Sequence, residues 1–290
     1  MKIGGFQIKE PLPELHEPHA LAILRPWIDV GGVGSMTLAL IENHFHAQPF
    51  GHLIKPDKFL DFTRYRPVIH FVAGRRQVEI PNTFINYVKR SDGNDFIFFH
   101  LLEPHMLGED YADYVLLVLQ AFEVKRYCLI GSMYDVVPHT RPLIITGTAV
   151  GPVEGKLHQL GVEPSDYEGP TTIAFLVSQR APKHDMEVMS LIVHLPQYSR
   201  LERDYVGTLR LMEVLCSLYR FSFSLEELRR KAAEQIEEMN QAVDREPELK
   251  QVVQQLEEYY NARSTTIEEK RVKLSPEVEK FLRDVTRRFG

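Results

Sequence analysis

Short runs of consecutive apolar residues alternate with stretches whose apolar positions recur every three or four residues, and the alternation continues to about Ser222. Ala20–Leu24 reads as a strand and Met36–Phe45 as a helix entered through glycines. Arg66–Val72 and Gln77–Ile80 bracket Gly74 and predict a hairpin. Phe96–Leu102 is nearly all apolar, which predicts a central strand buried on both faces. Tyr111–Phe122 has helical spacing and Tyr127–Ile130 returns to strand. A strand from Leu143, a helix near Val153–Leu160 and strands at Ile173–Val177 and Met189–Leu195 continue the series. Such alternation predicts an α/β sandwich with a mostly parallel sheet and helices on both faces.

Beyond Ser222 the texture changes to Glu, Gln, Lys and Arg with almost no glycine. Ser224 followed by Glu227 has the form of a capping box. Leu225, Leu228, Ala232, Ile236, Met239 and Val243 then form an amphipathic stripe. Pro247 restarts the pattern, and Leu249, Val252, Val253, Leu256, Tyr259 and Tyr260 supply a second stripe. Together they predict a C-terminal helical hairpin, with a further helix opening at Ser275–Pro276–Glu277. The expected organisation is an α/β/α core domain over residues 1–221 and a helical appendage over 222–290. The two stripes either dock on the core or on each other, or form an oligomer or partner surface.

Composition narrows the class. A chain of 290 residues with 44% hydrophobic and 26% charged residues is that of an ordinary globular protein. No apolar run approaches the roughly 20 residues needed to span a bilayer, and the N-terminus lacks the long apolar stretch of a signal peptide. Cys128 sits in an apolar strand and Cys216 in an apolar helix, where each reads as a small core residue. A cytoplasmic protein is expected, with no membrane contact. A net charge of −6 argues against a nucleic-acid-binding body, which needs a basic surface.

Several positions carry candidate chemistry. Pro138–Pro142 sets His139, Thr140 and Arg141 side by side between two prolines, where an apolar strand emerges. There an imidazole beside a guanidinium can serve proton transfer and hold an oxyanion, or the group can form a rigid turn. Gly31, Gly32 and Gly34 lie between a strand and a helix, as a tight turn or as an anion cradle at a helix N-terminus. Asp29, just before them, is placed to orient Ser35 or cap the helix. Arg64 and Arg66 precede Pro67 in backbone expected to be extended, where they can clamp an oxyanion or pair with Asp57 and Asp61. Glu103 ends the Phe96 strand at the sheet edge, where doubly wound folds bind ligands.

If these residues converge, they line one pocket for an anion or a carboxylate-bearing metabolite. Other chemistries find no support. Ser132, Asp135 and His139 lack the Gly-x-Ser-x-Gly elbow of a hydrolase. His44 and His46 are two apart, unlike the paired ligands of a helical zinc site, and His100, Glu103 and His105 converge only through a turn at Pro104. Neither a dinucleotide fingerprint nor a Walker loop is present, so no cofactor and no metal is expected.

The Pro138–Pro142 segment, together with Asp29–Ser35, Arg64–Pro67, Glu103–Pro104, Tyr167–Pro170 and Leu195–Tyr198, resembles the proteasome assembly chaperone 2 family in its longer bacterial form. The motifs recur in the family's order from about Ala20 to Tyr198. The resemblance implies a three-layer α/β/α domain of the phosphorylase or hydrolase kind, a homo-oligomer, with a trimer favoured, and a role in binding or assembling other proteins. Some archaeal relatives dock on proteasomes through a C-terminal hydrophobic-tyrosine-any residue tail. This chain ends Arg288–Phe289–Gly290, and Phe289 lacks the phenolic hydroxyl. A non-catalytic interaction protein is the favoured reading; the alternative is a small-molecule enzyme or sensor built on the pocket residues above.

Overall fold

A computed structural model of the chain describes residues 1–265. The helix expected from Ser275 and the terminal Arg288–Gly290 lie outside the described residues. Strands β1 (Lys2–Ile3), β2 (Phe6–Ile8) and β3 (His19–Arg25) lead into helix α1 (Val33–His44) and β4 (Gln48–Leu53). A hairpin of β5 (Val68–Val72) and β6 (Arg75–Glu79) follows, then β7 (Phe84–Val88), β8 (Phe96–Leu102), α2 (Gly108–Ala121) and β9 (Arg126–Asp135). Next come β10 (Ile145–Gly147), β11 (Ala149–Val150), α3 (Glu154–Gln159), β12 (Val162–Pro164), α4 (Ile173–Arg180) and β13 (Glu187–Pro196). Helices α5 (Tyr205–Tyr219), α6 (Glu226–Arg245) and α7 (Pro247–Thr265) complete the described chain.

The main sheet runs β1-β2-β4-β7-β8-β3-β9-β13-β10-β12, with β11 on β13. At its centre β3 pairs parallel with both β8 and β9. Outward from β8 the ladder turns antiparallel through β7, β4, β2 and β1. The sheet is therefore mixed, a parallel centre continued by an antiparallel arm that the apolar runs did not reveal. In β4, Gln48-Pro49-Phe50-Gly51-His52-Leu53 offers only Phe50 and Leu53 as buried positions, too few to read as a strand.

By compactness the chain divides into two units. The first comprises Met1–Asp29, Gly34–Gly131 and Thr146–Leu191. Its core is the strand β8, in which all seven residues are buried. On one face Ala20, Ala22, Leu24, Ile97, Phe99 and Leu101 pack with Tyr111, Val115 and Leu119 of α2 and with Ile173, Ala174 and Val177 of α4. The alternate residues point the other way, as the strand period requires. There α1 lies so near that a side chain on Gly34 would stand 2.9 Å from Ile23 Cγ2. Glu42 of α1 meets His100 Nε2 at 2.9 Å and accepts from Asn86 at 2.8 Å on that side. Helices thus cover both faces, and the α/β/α architecture is present.

One element differs in type. The segment Ile173–Val177, expected as a strand, is the start of helix α4. Its buried residues Ile173, Ala174, Val177, Ser178 and Ala181 follow a spacing of one, three, one and three, the stripe of a short helix. Five consecutive residues cannot separate that stripe from a buried strand. The hairpin β5–β6 forms where expected but as a separate two-stranded sheet, with every residue exposed.

The second unit comprises Val30–Val33, Ser132–Ile145 and the chain from Ile192. Asp204 caps α5 by accepting the Gly207 N–H at 2.7 Å. The next amides of that helix end, Tyr205 and Val206, donate to Gln235 Oε1 of α6 at 2.8 and 3.3 Å. The Gln235 amide in turn donates to Arg203 O at 2.8 Å, so this buried polar side chain is satisfied at both ends. The capping box expected at Ser224 is not formed. Ser224 Oγ accepts from Glu226 N at 3.2 Å, and α6 starts through Leu225 without a side-chain cap. The two stripes exist: Leu228, Ala232 and Val243 are buried on α6, and Val252, Val253 and Leu256 on α7. Helix α6 packs on α5 and on α7, and Val252 and Leu256 lie with Val136 and Tyr198.

Candidate functional site

The candidate residues divide between the units. Gly31, Gly32, His139, Thr140 and Arg141 belong to the second, and Gly34, Arg64, Arg66 and Glu103 to the first.

In the second unit, His139 is 5% exposed and both its ring nitrogens are engaged. Nδ1 lies 2.6 Å from the Tyr198 hydroxyl and Nε2 lies 3.1 Å from Asn240 Oδ1. The amide oxygen can only accept, so Nε2 carries the proton and Nδ1 accepts from Tyr198. The same hydroxyl accepts the His139 backbone N–H at 2.8 Å. Burial holds the His139 pKa below its ordinary value, opposed by the Asn240 hydrogen bond and the charge of Glu257, and the ring is neutral. Burial likewise pushes the Tyr198 hydroxyl up.

Thr140 Oγ1 donates to Glu257 Oε1 of α7, and Arg141 Nη1 meets the same oxygen at 3.1 Å. Arg141 Nε donates to Asn261 Oδ1 at 3.3 Å. Pro142 O accepts from the Tyr260 hydroxyl at 2.9 Å. Each residue from His139 to Pro142 is therefore bonded to α6 or α7, which makes the loop a clasp on the C-terminal helices.

Gly31 and Gly32 both have φ of 61°, a conformation that glycine adopts at no steric cost. The Gly31 carbonyl accepts the Asp204 N–H at 2.8 Å, and a Cβ on Gly31 would stand 2.7 Å from Asp204 Cβ. The turn is thus pressed against the start of α5. Ser132 Oγ donates to Val30 O at 2.6 Å and steadies it from the strand β9.

In the first unit, Asp29 orients Ser35 by accepting its hydroxyl at 2.5 Å and its N–H at 3.1 Å, so it caps the start of α1. Burial nevertheless raises the Asp29 pKa. Arg64 lies in a turn and not in extended backbone, because Asp61 Oδ1 accepts from Thr63 N and Oγ1 at 2.8 and 2.7 Å and closes the chain on itself. Arg64 and Arg66 therefore do not share one side of a strand. Arg64 lies 3.9 Å from Asp61, with most of its side chain in solvent. It borders an open cleft of about 620 Å³ with Asp57, Asp61, Phe62, His105 and Met106.

Glu103 follows β8 and is half-buried. One carboxylate oxygen accepts the Ile173 N–H at 3.3 Å, at the start of α4, and Oε2 is buried with no protein partner. Burial raises its pKa. Beside it, the Tyr65 hydroxyl lies 3.2 Å from Arg25 O and 3.3 Å from Glu103 O, bridging the ends of the parallel strands β3 and β8. The Tyr65 ring meets His105 edge-on, and Arg25 Nε is buried without a partner. The corner thus holds two buried polar atoms without protein partners, Glu103 Oε2 and Arg25 Nε.

Sequence reasoning missed Asn240, Glu257 and Asn261, and it gave no role to Tyr198, Tyr65 or Arg25. The two tyrosines lie inside motifs already singled out, Leu195–Tyr198 and Arg64–Pro67, and those motifs were the available signal. Among the described residues no three His, Cys, Asp or Glu side chains are placed to hold a metal ion. Among those residues, too, no helix is long and apolar enough to cross a membrane.

Comparison with known proteins places this geometry. A protein of unknown function from Corynebacterium glutamicum shares the fold with a TM-score of 0.78 at 18% identity, over 90% of this chain and 98% of that one. A PAC2 family protein from Streptomyces avermitilis matches with a TM-score of 0.73 at 24% identity, over 81% and 99%. A proteasome-assembly chaperone homologue from Mycobacterium tuberculosis matches with a TM-score of 0.71 at 23% identity, again over 81% and 99%. At these identities the likeness is one of fold. No curated protein matches the sequence. The family model described as the PAC2 family matches residues 23–243, and the chain belongs to that family.

Proposed function

We propose that this protein is a non-catalytic assembly factor, a cytoplasmic homo-oligomer that binds other protein subunits, with the threefold state implied by its resemblance to longer bacterial members. The observation that carries the reading is the use made of His139, Thr140 and Arg141. A general base needs a ring nitrogen within reach of a substrate proton, and both nitrogens of His139 are bonded inside the protein. Arg141 is likewise engaged by Glu257 and Asn261. Family membership supports the same reading, since one fold relative is a proteasome-assembly chaperone homologue. The test is ring formation by purified proteasomal α subunits, followed by native electrophoresis with and without the protein. A complex or a changed rate of ring formation is expected; the absence of both would contradict the proposal.

A second reading is favoured by one corner of the first unit. The cleft bordered by Arg64 and His105 is also lined by Asp57 and Asp61, so a small anionic metabolite would enter it by taking Arg64 from Asp61, with Glu103, two residues before His105, adding a carboxyl oxygen that has no protein partner. Of the expected pocket residues this reading uses Arg64 and Glu103, with Arg66 and Gly34 in the same unit. The second unit's Gly31, Gly32, His139, Thr140 and Arg141 take no part in it. Thermal-shift screening with phosphates, nucleosides and carboxylates tests it. A ligand that stabilises wild type but not Arg64→Ala supports the reading, and a screen with no hit removes it.

A further inference from the structure

Strands β3 and β8 lie side by side and parallel at the centre of the sheet. The chain leaves β3 through Arg25–Pro26 and β8 through Glu103–Pro104, in each case a charged residue followed by proline. From β3 it leads to α1 on one face of the sheet, and from β8 to α2 on the other. Adjacent strand ends whose connections part in this way open a crevice, the place where α/β sheets hold ligands. Neither proline has an N–H to offer there. The Arg25 carbonyl is already taken, by the Glu103 N–H at 2.9 Å and the Tyr65 hydroxyl at 3.2 Å. Polar contacts at these strand ends fall to the side chains.

Both side chains are incompletely bonded. Arg25 is half-buried with its Nε enclosed and unpartnered, and among the described residues its guanidinium makes no hydrogen bond or ion pair. A guanidinium cannot shed its charge, so leaving it unpaired in this setting is costly. Asp29 is near enough for the two charges to act on each other, but both its oxygens are bonded to Ser35. Glu103 uses one oxygen to cap Ile173 at the start of α4, where Thr172 supplies no side-chain cap, and its Oε2 is buried and unpartnered. The Arg25 and Glu103 charges both act on the Tyr65 hydroxyl, which bridges the carbonyls of the same two residues. A ligand that completes this corner carries the opposite pair: a carboxylate for Arg25 and an ammonium for Glu103. A phosphate dianion suits it less, because the carboxyls of Asp29 and Glu103 flank the site. Burial raises the Glu103 pKa, and a bound ammonium offsets that cost of charging it.

We propose that Arg25 and Glu103 form a binding site for a small amino carboxylate, with Arg25 holding its carboxylate and Glu103 Oε2 its ammonium group across the Tyr65 hydroxyl. Tyr65 Oη donates to a strand-end carbonyl and keeps a lone pair for a second ammonium hydrogen. Every residue of the site lies in the first unit. The site rests on the second reading above, that a small metabolite enters at this corner, and it names the class of that metabolite. It holds whether or not proteasomal subunits are the protein's clients.

Calorimetric titration of the full chain tests it with ω-amino acids of increasing length, glycine to δ-aminovalerate, against acetate and ethylamine, which carry one of the two groups each. At least one amino acid should bind about tenfold more tightly than acetate or ethylamine, the gain that a charge-assisted hydrogen bond brings. Arg25→Met should weaken that amino acid by about tenfold or more. Glu103→Gln keeps an acceptor for Ile173 and should bind the amino acid no better than acetate. Wild type that binds every amino acid no better than acetate overturns the proposal, and so does tight binding that survives either substitution. In both of those cases the second reading stands, since a carboxylate still enters. If no carboxylate binds at all, both fall. Unchanged circular dichroism shows that the variants keep their fold.

Discussion

His139 shows what the residue scale contributes. The sequence points to it as a base candidate, because an imidazole between prolines at a strand end has few common reasons to be there. Its partners Tyr198 and Asn240 lie 59 and 101 positions away, and no local pattern announces them. Its neutrality gives a pH signature. The unfolded imidazole titrates near 6.5, and burial holds the folded one lower. Below about pH 6.5 the unfolded chain therefore binds a proton that the folded chain does not. Stability is full above that range and falls as pH drops through it. Urea unfolding at pH 7.5 and 5.5 reads the loss. In His139→Gln the loss shrinks by up to about 1.4 kcal/mol per pH unit; an unchanged loss would show that the buried ring is not neutral. Glu103 was equally visible as a strand-end carboxylate, whereas its bond to Ile173 was not, because that residue was assigned to a strand with no free helix end.

Elements were legible where their pattern was long. The stripes of α6 and α7 span several turns and fix both helices, and the near-continuous run of β8 fixes a central strand. Helix α4 shows only two turns of pattern, and β4 shows two buried residues around Pro49 and Gly51, so neither could be typed from its own residues. How α6 joins α5 was also hidden, because Gln235 in an apolar stripe reads as a solvent-facing interruption. It is a cap instead. Gln235→Leu keeps the volume and loses the acceptor, leaving the Tyr205 amide unpaired at the helix end while Val206 keeps Asp204. Chemical denaturation should find the variant less stable by about 2 kcal/mol. A change below about 0.5 kcal/mol would mean that water satisfies that amide and that the glutamine adds only packing.

At the scale of the whole molecule, the family, the α/β/α class and the helical tail were all readable, since each rests on motifs or periods repeated along the chain. The division into units was not, because the second unit takes Val30–Val33 and Ser132–Ile145 from the middle of the sequence. Those inserted segments carry the glycine turn and the His139–Arg141 loop, the positions that looked most like chemistry. The central claim is that this loop clasps helices and does not serve a substrate. Hydrogen exchange across the whole chain tests it, comparing wild type with the double variant Thr140→Val, Arg141→Ala, in which Glu257 of α7 loses both partners. Losing about 1.4 kcal/mol of local stability speeds exchange about tenfold. The account predicts such acceleration in α7, with the amides of β3 and β8 unchanged. Unaltered exchange in α7 would contradict it.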